Sequence, residues 1–212
     1  MTSLLSAYVA AFSSVLNNCL ATRPGGAALP IDEAIEWAVQ TAKATHAAGN
    51  KLMFIGNGGS AGISSHLAID FSKNGNVRST AFNDGAALTC LGNDLGYENV
   101  FAKQIELHAR AKDLLIAISS SGKSPNILRG VAAARRAGCA VLTLSGFDAD
   151  NPLRNVGDVN VFVPSRQYGF VEIAHLTWCH VVVDRICGWK PAVREPAASR
   201  ADEARTAGGR AH

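Results

Sequence analysis

The sequence predicts an α/β fold: a three-layer sandwich with a parallel sheet flanked by helices on both faces. Two observations carry this. A short apolar run, Lys51–Ile55, ends in a glycine turn and leads into a helical pattern; the same unit recurs from Asp113 into a helix that closes before Gly138. Two further apolar runs, Ala140–Leu144 and Val159–Val163, follow at the spacing expected of later strands. Alternation of strand, glycine turn and helix is the pattern of a sheet covered on both faces.

The elements follow in order. Residues 3–20 place Leu4, Leu5, Tyr8, Val9, Phe12, Val15, Leu16 and Leu20 at helical spacing. Thr22–Pro30 is a Gly/Pro/Ala loop. Residues 31–48 form a second helix, with Asp32 and Glu33 in its first turn and Gly49 behind it. The strand at 51–55 precedes a helix to about Lys73, closed by Asn74-Gly75. A short strand lies near Thr80–Phe82, and helical stretches lie near 84–91 and 98–111. After the strand at Asp113–Ile118 comes a helix from Ser124 to Arg136, and Phe170–Trp189 closes the fold as a helix. This divides the chain into 1–48, two helices that pack on the core or on a partner subunit; 49–189, the α/β domain; and 190–212, a disordered tail. The tail is rich in Ala, Arg, Gly and Glu, and its few apolar groups cannot offset the entropy of ordering it.

Composition narrows the function classes. Of 212 residues, 48% are hydrophobic and 17% charged, which excludes a wholly disordered chain. No run reaches the roughly 18 apolar residues of a membrane span. Met1–Leu20 lacks the basic start of a secretory leader. The net charge of +3 lies partly in the tail, so no nucleic-acid surface is expected. Five cysteines, an odd number without CxxC spacing, read as buried reduced thiols of a cytoplasmic protein.

Two loops at strand carboxyl ends carry the chemistry. Gly56-Asn57-Gly58-Gly59-Ser60-Ala61-Gly62 resembles a dinucleotide loop only loosely. The acid that should follow about 20 residues on is replaced by the basic turn Lys73–Arg78, so no nucleotide cofactor is expected. Ser119-Ser120-Ser121-Gly122-Lys123-Ser124 lies directly ahead of a helix. A helix N-terminus carries roughly +0.5 of a charge and favours anions. One serine suffices to cap the helix; the others point to phosphate. His66 and Asp70 share a helical face, as do Glu172 and His175, with His180 further along the last helix. His66, Asp70, Glu172 and His180 interrupt apolar surroundings, where ionisable groups need a partner or a function. His175 reads as a hydrogen-bonded core histidine.

With Gly56-Asn57-Gly58-Gly59-Ser60, Gly92-Asn93-Asp94 and Ser119-Ser120-Ser121-Gly122-Lys123-Ser124 in this order, the chain resembles the sugar-isomerase (SIS) fold. Within it, residues 1–188 resemble bacterial phosphoheptose isomerases. The resemblance implies conversion of sedoheptulose 7-phosphate to a heptose 7-phosphate aldose through an enediol, in homotetramers with active sites between subunits. By position it implies Asp70 and His180 as the acid/base pair, with Glu172 as base if Asp70 does not reach. It implies a divalent metal, zinc before manganese or nickel, on His66, Asp70, Glu172 and His180. The Gly58 and Gly59 amides, or the metal, would stabilise the oxyanion. Ser119, Ser120, Ser121 and Ser124 would hold phosphate, and Asn57, Ser60, Asp94 and Glu172 would meet the sugar. Two positions depart from the family: Asp70 stands for Glu, about 1.5 Å shorter, and Glu172 stands for Gln. The alternatives are a non-catalytic SIS regulator that binds a protein such as the replication initiator, and a sugar-phosphate sensor.

Overall fold

The structure, a computed structural model, describes residues 3–191; the tail expected to be disordered lies almost wholly outside them. In chain order the elements are α1 (Leu4–Asn17), β1 (Leu20–Thr22), β2 (Ala28–Leu29), α2 (Ile31–Ala47), β3 (Leu52–Gly56), α3 (Gly59–Lys73), β4 (Ser79–Ala81) and α4 (Gly85–Leu95). There follow α5 (Val100–His108), β5 (Leu114–Ser119), α6 (Pro125–Arg136), β6 (Ala140–Gly146), β7 (Val159–Val163) and α7 (Tyr168–Ile186).

The strands form one sheet in the order β2-β1-β7-β6-β5-β3-β4. The five strands β3 to β7 run parallel. The expected loop over 22–30 is instead an antiparallel edge: Thr22 pairs with Ala28 and with Asn160. Two strands of three and two residues are too short to show a period, which is why the sequence reads as loop there.

Alternate strand residues face opposite layers, as a pleated strand requires. Leu52, Phe54, Leu114, Ile116 and Ile118 pack under α2, α3 and α7. Met53, Ile55, Leu115 and Ala117 pack under α5 and α6. The sheet is therefore buried on both sides, which accounts for the unbroken apolar runs. Helix α2 joins this core through Ala34, Ala38, Val39 and Ala42. Helix α1 contains no buried residue and leaves Leu4 89% and Leu5 73% exposed. Among the described residues no helix is long and apolar enough to cross a membrane. The thiols divide: Cys139 and Cys179 are buried, whereas Cys90 and Cys187 are exposed, contrary to a uniformly buried set, and all five are unpaired.

The sheet order reverses once. From β3 the chain passes to β4 on one side and then, through α4 and α5, to β5 on the other. The loops leaving β3 and β5 diverge there and open a crevice at the strand carboxyl ends, the usual ligand position in such sheets.

His175 is completely buried, and its Nε2 lies 3.1 Å from the Ser145 carbonyl. A carbonyl only accepts, so Nε2 carries the proton. Burial holds its pKa down at about 4, against the opposing effect of that hydrogen bond. The folded state thus refuses a proton that the unfolded chain takes up below pH 6.5. Stability should fall as pH drops from about 6.5 to about 4, by about 3 kcal/mol in all at 1.36 kcal/mol per unit. Thermal melts across this range should show a decline that His175→Gln flattens; an equally steep decline in the variant would assign it to other groups.

Candidate active site

The turn after β5 is built to present hydroxyls. Gly122 adopts φ +61°, a left-handed conformation that glycine enters without strain. This turns its N–H back onto the Ser119 carbonyl at 3.0 Å and the Ser119 Oγ at 3.1 Å. Lys123 N–H donates to Ser121 Oγ at 3.2 Å, and the Ser119 and Ser124 hydroxyls lie 3.4 Å apart. No serine caps α6: Ser124 occupies the cap position without a side-chain bond. Asn126 Oδ1 takes the Ile127 N–H instead, at 2.9 Å. All four serines are therefore free of the capping duty expected of one. Ser120 Oγ is buried and has no hydrogen-bond partner, an uncommon state for a buried hydroxyl.

The turn after β3 meets this loop across the crevice. Gly58 has φ +53° and caps α3. Gly59 lets the Glu172 carboxylate approach closely: a Cβ there would overlap the carboxylate and displace it. That carboxylate, reaching over from α7, sits on the first residue of α3, where the helix favours negative charge. Together these residues enclose a cavity of about 260 Å³ lined by Gly58, Gly59, Ser60, the four serines and Glu172. Tyr168 also lines it. The sequence reading missed Tyr168, although it stands four residues before Glu172 on the same helix, the spacing that shares a face.

Two expected sugar contacts are placed otherwise. Asn57 lines the cavity, but its amide is spent on a reciprocal pair with Asn126, two bonds of 2.9 Å, and Tyr97 Oη donates to Asn57 Oδ1 at 3.1 Å. It ties the β3 loop to the start of α6. Asp94 is exposed on α4, takes Asn93 Nδ2 at 2.8 Å and does not line the cavity.

The histidine–carboxylate group forms a second cluster. His66 Nε2 lies 3.2 Å from Asp70 Oδ2 and 3.3 Å from His180 Nε2, and His180 Nδ1 lies 3.8 Å from Asp70 Oδ2. A tetrahedral metal with ligand bonds of about 2.0–2.1 Å separates its donors by about 3.3 Å. His66 Nε2 stands at this spacing from Asp70 Oδ2 and from His180 Nε2, and one donor atom from each of the three residues lies within 4.8 Å of the other two, so the group could hold a metal ion. Glu172 does not join them within one chain. It precedes His180 by eight residues on α7, a rise of about 12 Å. The expected four-ligand set is thus divided, with Glu172 in the serine cavity and the other three about two turns along the α3–α7 groove.

Glu172 places a negative charge in a cavity that offers hydroxyls. Replacing it by the neutral Glu172→Gln should tighten inorganic phosphate binding by about five- to tenfold, the scale of one screened charge pair. Calorimetric titration checks this, and weaker binding by the variant would show that the carboxylate is not repelling the anion.

The SIS domain family matches residues 27–146. The phosphoheptose isomerase of Citrifermentans bemidjiense is 33% identical over 162 residues, 74% of this chain and 84% of that protein. That of Pelobacter propionicus is 37% identical over 144 residues, 65% of this chain and 76% of that protein. Among solved structures, a phosphoheptose isomerase from Francisella tularensis superposes with a TM-score of 0.73 at 28% identity, covering 88% of this chain and 98% of that one.

Proposed function

The chain belongs to the SIS-domain family and, within it, to the phosphoheptose isomerases, and from that premise we propose that it interconverts sedoheptulose 7-phosphate and D-glycero-D-manno-heptose 7-phosphate. It is an isomerase of phosphorylated sugars. The observation that carries the substrate class is the serine turn: four hydroxyls without capping duty at the start of α6, one of them buried and unpartnered. A phosphate supplies the missing acceptors, and each hydrogen bond to such a charged group is worth about 1.5–3 kcal/mol.

With the phosphate in this turn, the sugar extends along the cavity past Glu172. Isomerisation removes a proton from C1 of the ketose, passes through an enediol, and delivers a proton to C2. Asp70 and His180 are the acid/base pair in this reading, and Glu172 orients the sugar hydroxyls. Acid–base catalysis of this kind contributes about 10²–10⁴-fold. Zinc on His66, Asp70 and His180 would supply Lewis-acid stabilisation of the enediolate charge. The Gly58 and Gly59 amides offer N–H groups to the same charge.

The separation of the two clusters supports assembly. An active site completed between copies, in the homotetramer we propose, brings the His66–Asp70–His180 group of one chain to the serine cavity of another. The exposed Leu4, Leu5 and Val9 of α1, with Ile69 and Ile173 on the α3–α7 side, provide apolar surface for it. Action in the cytoplasm accords with the five unpaired cysteines.

Turnover of sedoheptulose 7-phosphate by the zinc-supplemented protein tests the function. Asp70→Asn and His180→Asn should each lower kcat by about 100-fold or more, whereas Glu172→Gln keeps kcat within about tenfold. An equal loss in Glu172→Gln would transfer the role of base to Glu172. No turnover by wild type, with phosphate esters still raising its melting temperature, would support the sensor; neither response would support the protein-binding regulator.

Mixing tests the assembly. His180→Asn and a second inactive variant, Ser121→Ala with Ser124→Ala, should regain activity together after subunit exchange, because some mixed sites are intact. No recovery would place the whole site within one chain.

A further inference from the structure

Behind the serine turn lies a polar network closed to solvent. Thr143, Ser145 and Asn151 are fully buried and Asn160 nearly so. Asn160 Nδ2 donates to Thr143 Oγ1 at 2.9 Å and to Ser145 Oγ at 3.2 Å. Asn151 Nδ2 donates to the Asp148 carbonyl at 2.7 Å, to the Gly146 carbonyl at 3.2 Å and toward Ser145 Oγ at 3.3 Å. This side of the Asn151 amide is fully engaged, and it fixes the side chain to the end of β6 and to the loop 147–151.

The other side is not engaged. Asn151 Oδ1 is buried without a donor, a condition that buried carbonyls normally avoid. It lies against Gly122, where a Cβ would overlap Oδ1 and Cγ of Asn151. Just beyond Asn151, the Leu153 N–H donates to the Gly122 carbonyl at 3.2 Å. Gly122 is the left-handed residue whose N–H closes the serine turn. The loop that carries Asn151 also grips the serine turn from outside: the Asp148 carboxylate binds Lys123 Nζ at 2.8 Å and Arg166. Its Phe147 ring packs edge-on against Tyr168, which lines the cavity, at 4.8 Å.

We propose that Asn151 is a positioning residue for phosphate binding. Its anchored amide is a rigid backstop for Gly122, and the loop 147–151 thereby sets the directions of the Ser119, Ser121 and Ser124 hydroxyls. Asn151 never touches the sugar phosphate, so its effect falls on affinity and not on the proton transfers. The inference rests on the serine turn being the phosphate site.

Asn151→Ser and Gly122→Ala, singly and together, test it, with melting curves to show that each protein is folded. Asn151→Ser should raise KM for the sugar phosphate, and Kd for inorganic phosphate, by about tenfold while kcat changes by less than about threefold. Gly122→Ala should weaken phosphate binding further, because its methyl group meets the backstop. In the double variant the Oδ1 overlap is removed while the Asn151 Cβ and the left-handed φ of residue 122 remain, so phosphate affinity should recover in part, above that of Gly122→Ala alone. Such a reversal is the non-additivity expected of groups in contact. A residue that merely supports the fold would lower the melting temperature and leave KM and phosphate Kd unchanged. That result, or a double variant no better than Gly122→Ala, would overturn the role of Asn151 while leaving the function standing. A folded wild type that binds no phosphate and turns over no sugar phosphate would overturn both.

Discussion

The reversal of strand order between β3 and β5 is the constraint on which the site depends. Two parallel neighbours whose connections leave in opposite directions must part at their carboxyl ends, and the gap is filled by whatever the two turns present. Here the turns are of opposite character. The β3 turn offers bare backbone, because Gly58 takes a positive φ and Gly59 leaves the Glu172 carboxylate free to lie against the start of α3. The β5 turn offers hydroxyls, because Gly122 folds them inward. The reciprocal Asn57–Asn126 amide pair spans the gap and keeps the two turns in register.

A phosphate in the cavity, as proposed, would meet no free cation among its lining residues. Lys123 and Arg166, the nearest basic side chains in sequence, are both held by Asp148, and Glu172 adds a negative charge inside. A phosphate there relies on hydroxyl and amide donors. Hydrogen bonds to a charged group, about 1.5–3 kcal/mol each, outweigh the roughly 0.3–1 kcal/mol of a helix terminus, so in the proposed reading the directions of the serine hydroxyls would govern affinity. A second consequence concerns assembly. The His66–Asp70–His180 cluster gathers three donors close enough to hold a metal ion but lies about two turns of α7 from the cavity. A single chain presents the serine cavity and the His66–Asp70–His180 cluster as separate halves.

Much of this was legible in the sequence. Strands β3, β5, β6 and β7 announce themselves as apolar runs because both faces of the sheet are covered. The glycine and serine turns stand out because their residue types suit nothing but turns and anions. His175 was readable as a core histidine from its apolar neighbours, and the shared face of His66 and Asp70 follows from a spacing of four. Contacts between distant segments were not legible. Asn57 looks like a ligand until Asn126, sixty-nine residues on, takes up its amide. Asp94 looks like part of the site until α4 turns it outward. The division of Glu172 from His180 follows from eight residues along one helix and was within reach of the sequence, whereas the antiparallel edge at 20–29 depends on pairing with β7, which no local pattern encodes.

The most direct test of the central claim is a crystal structure with sedoheptulose 7-phosphate bound. The account predicts the ester phosphate within hydrogen-bond distance of the Ser119, Ser121 and Ser124 hydroxyls, with C1 and C2 of the sugar between Glu172 and the His180 and Asp70 of a neighbouring copy. A phosphate held elsewhere, with the serine turn facing only solvent, would contradict it.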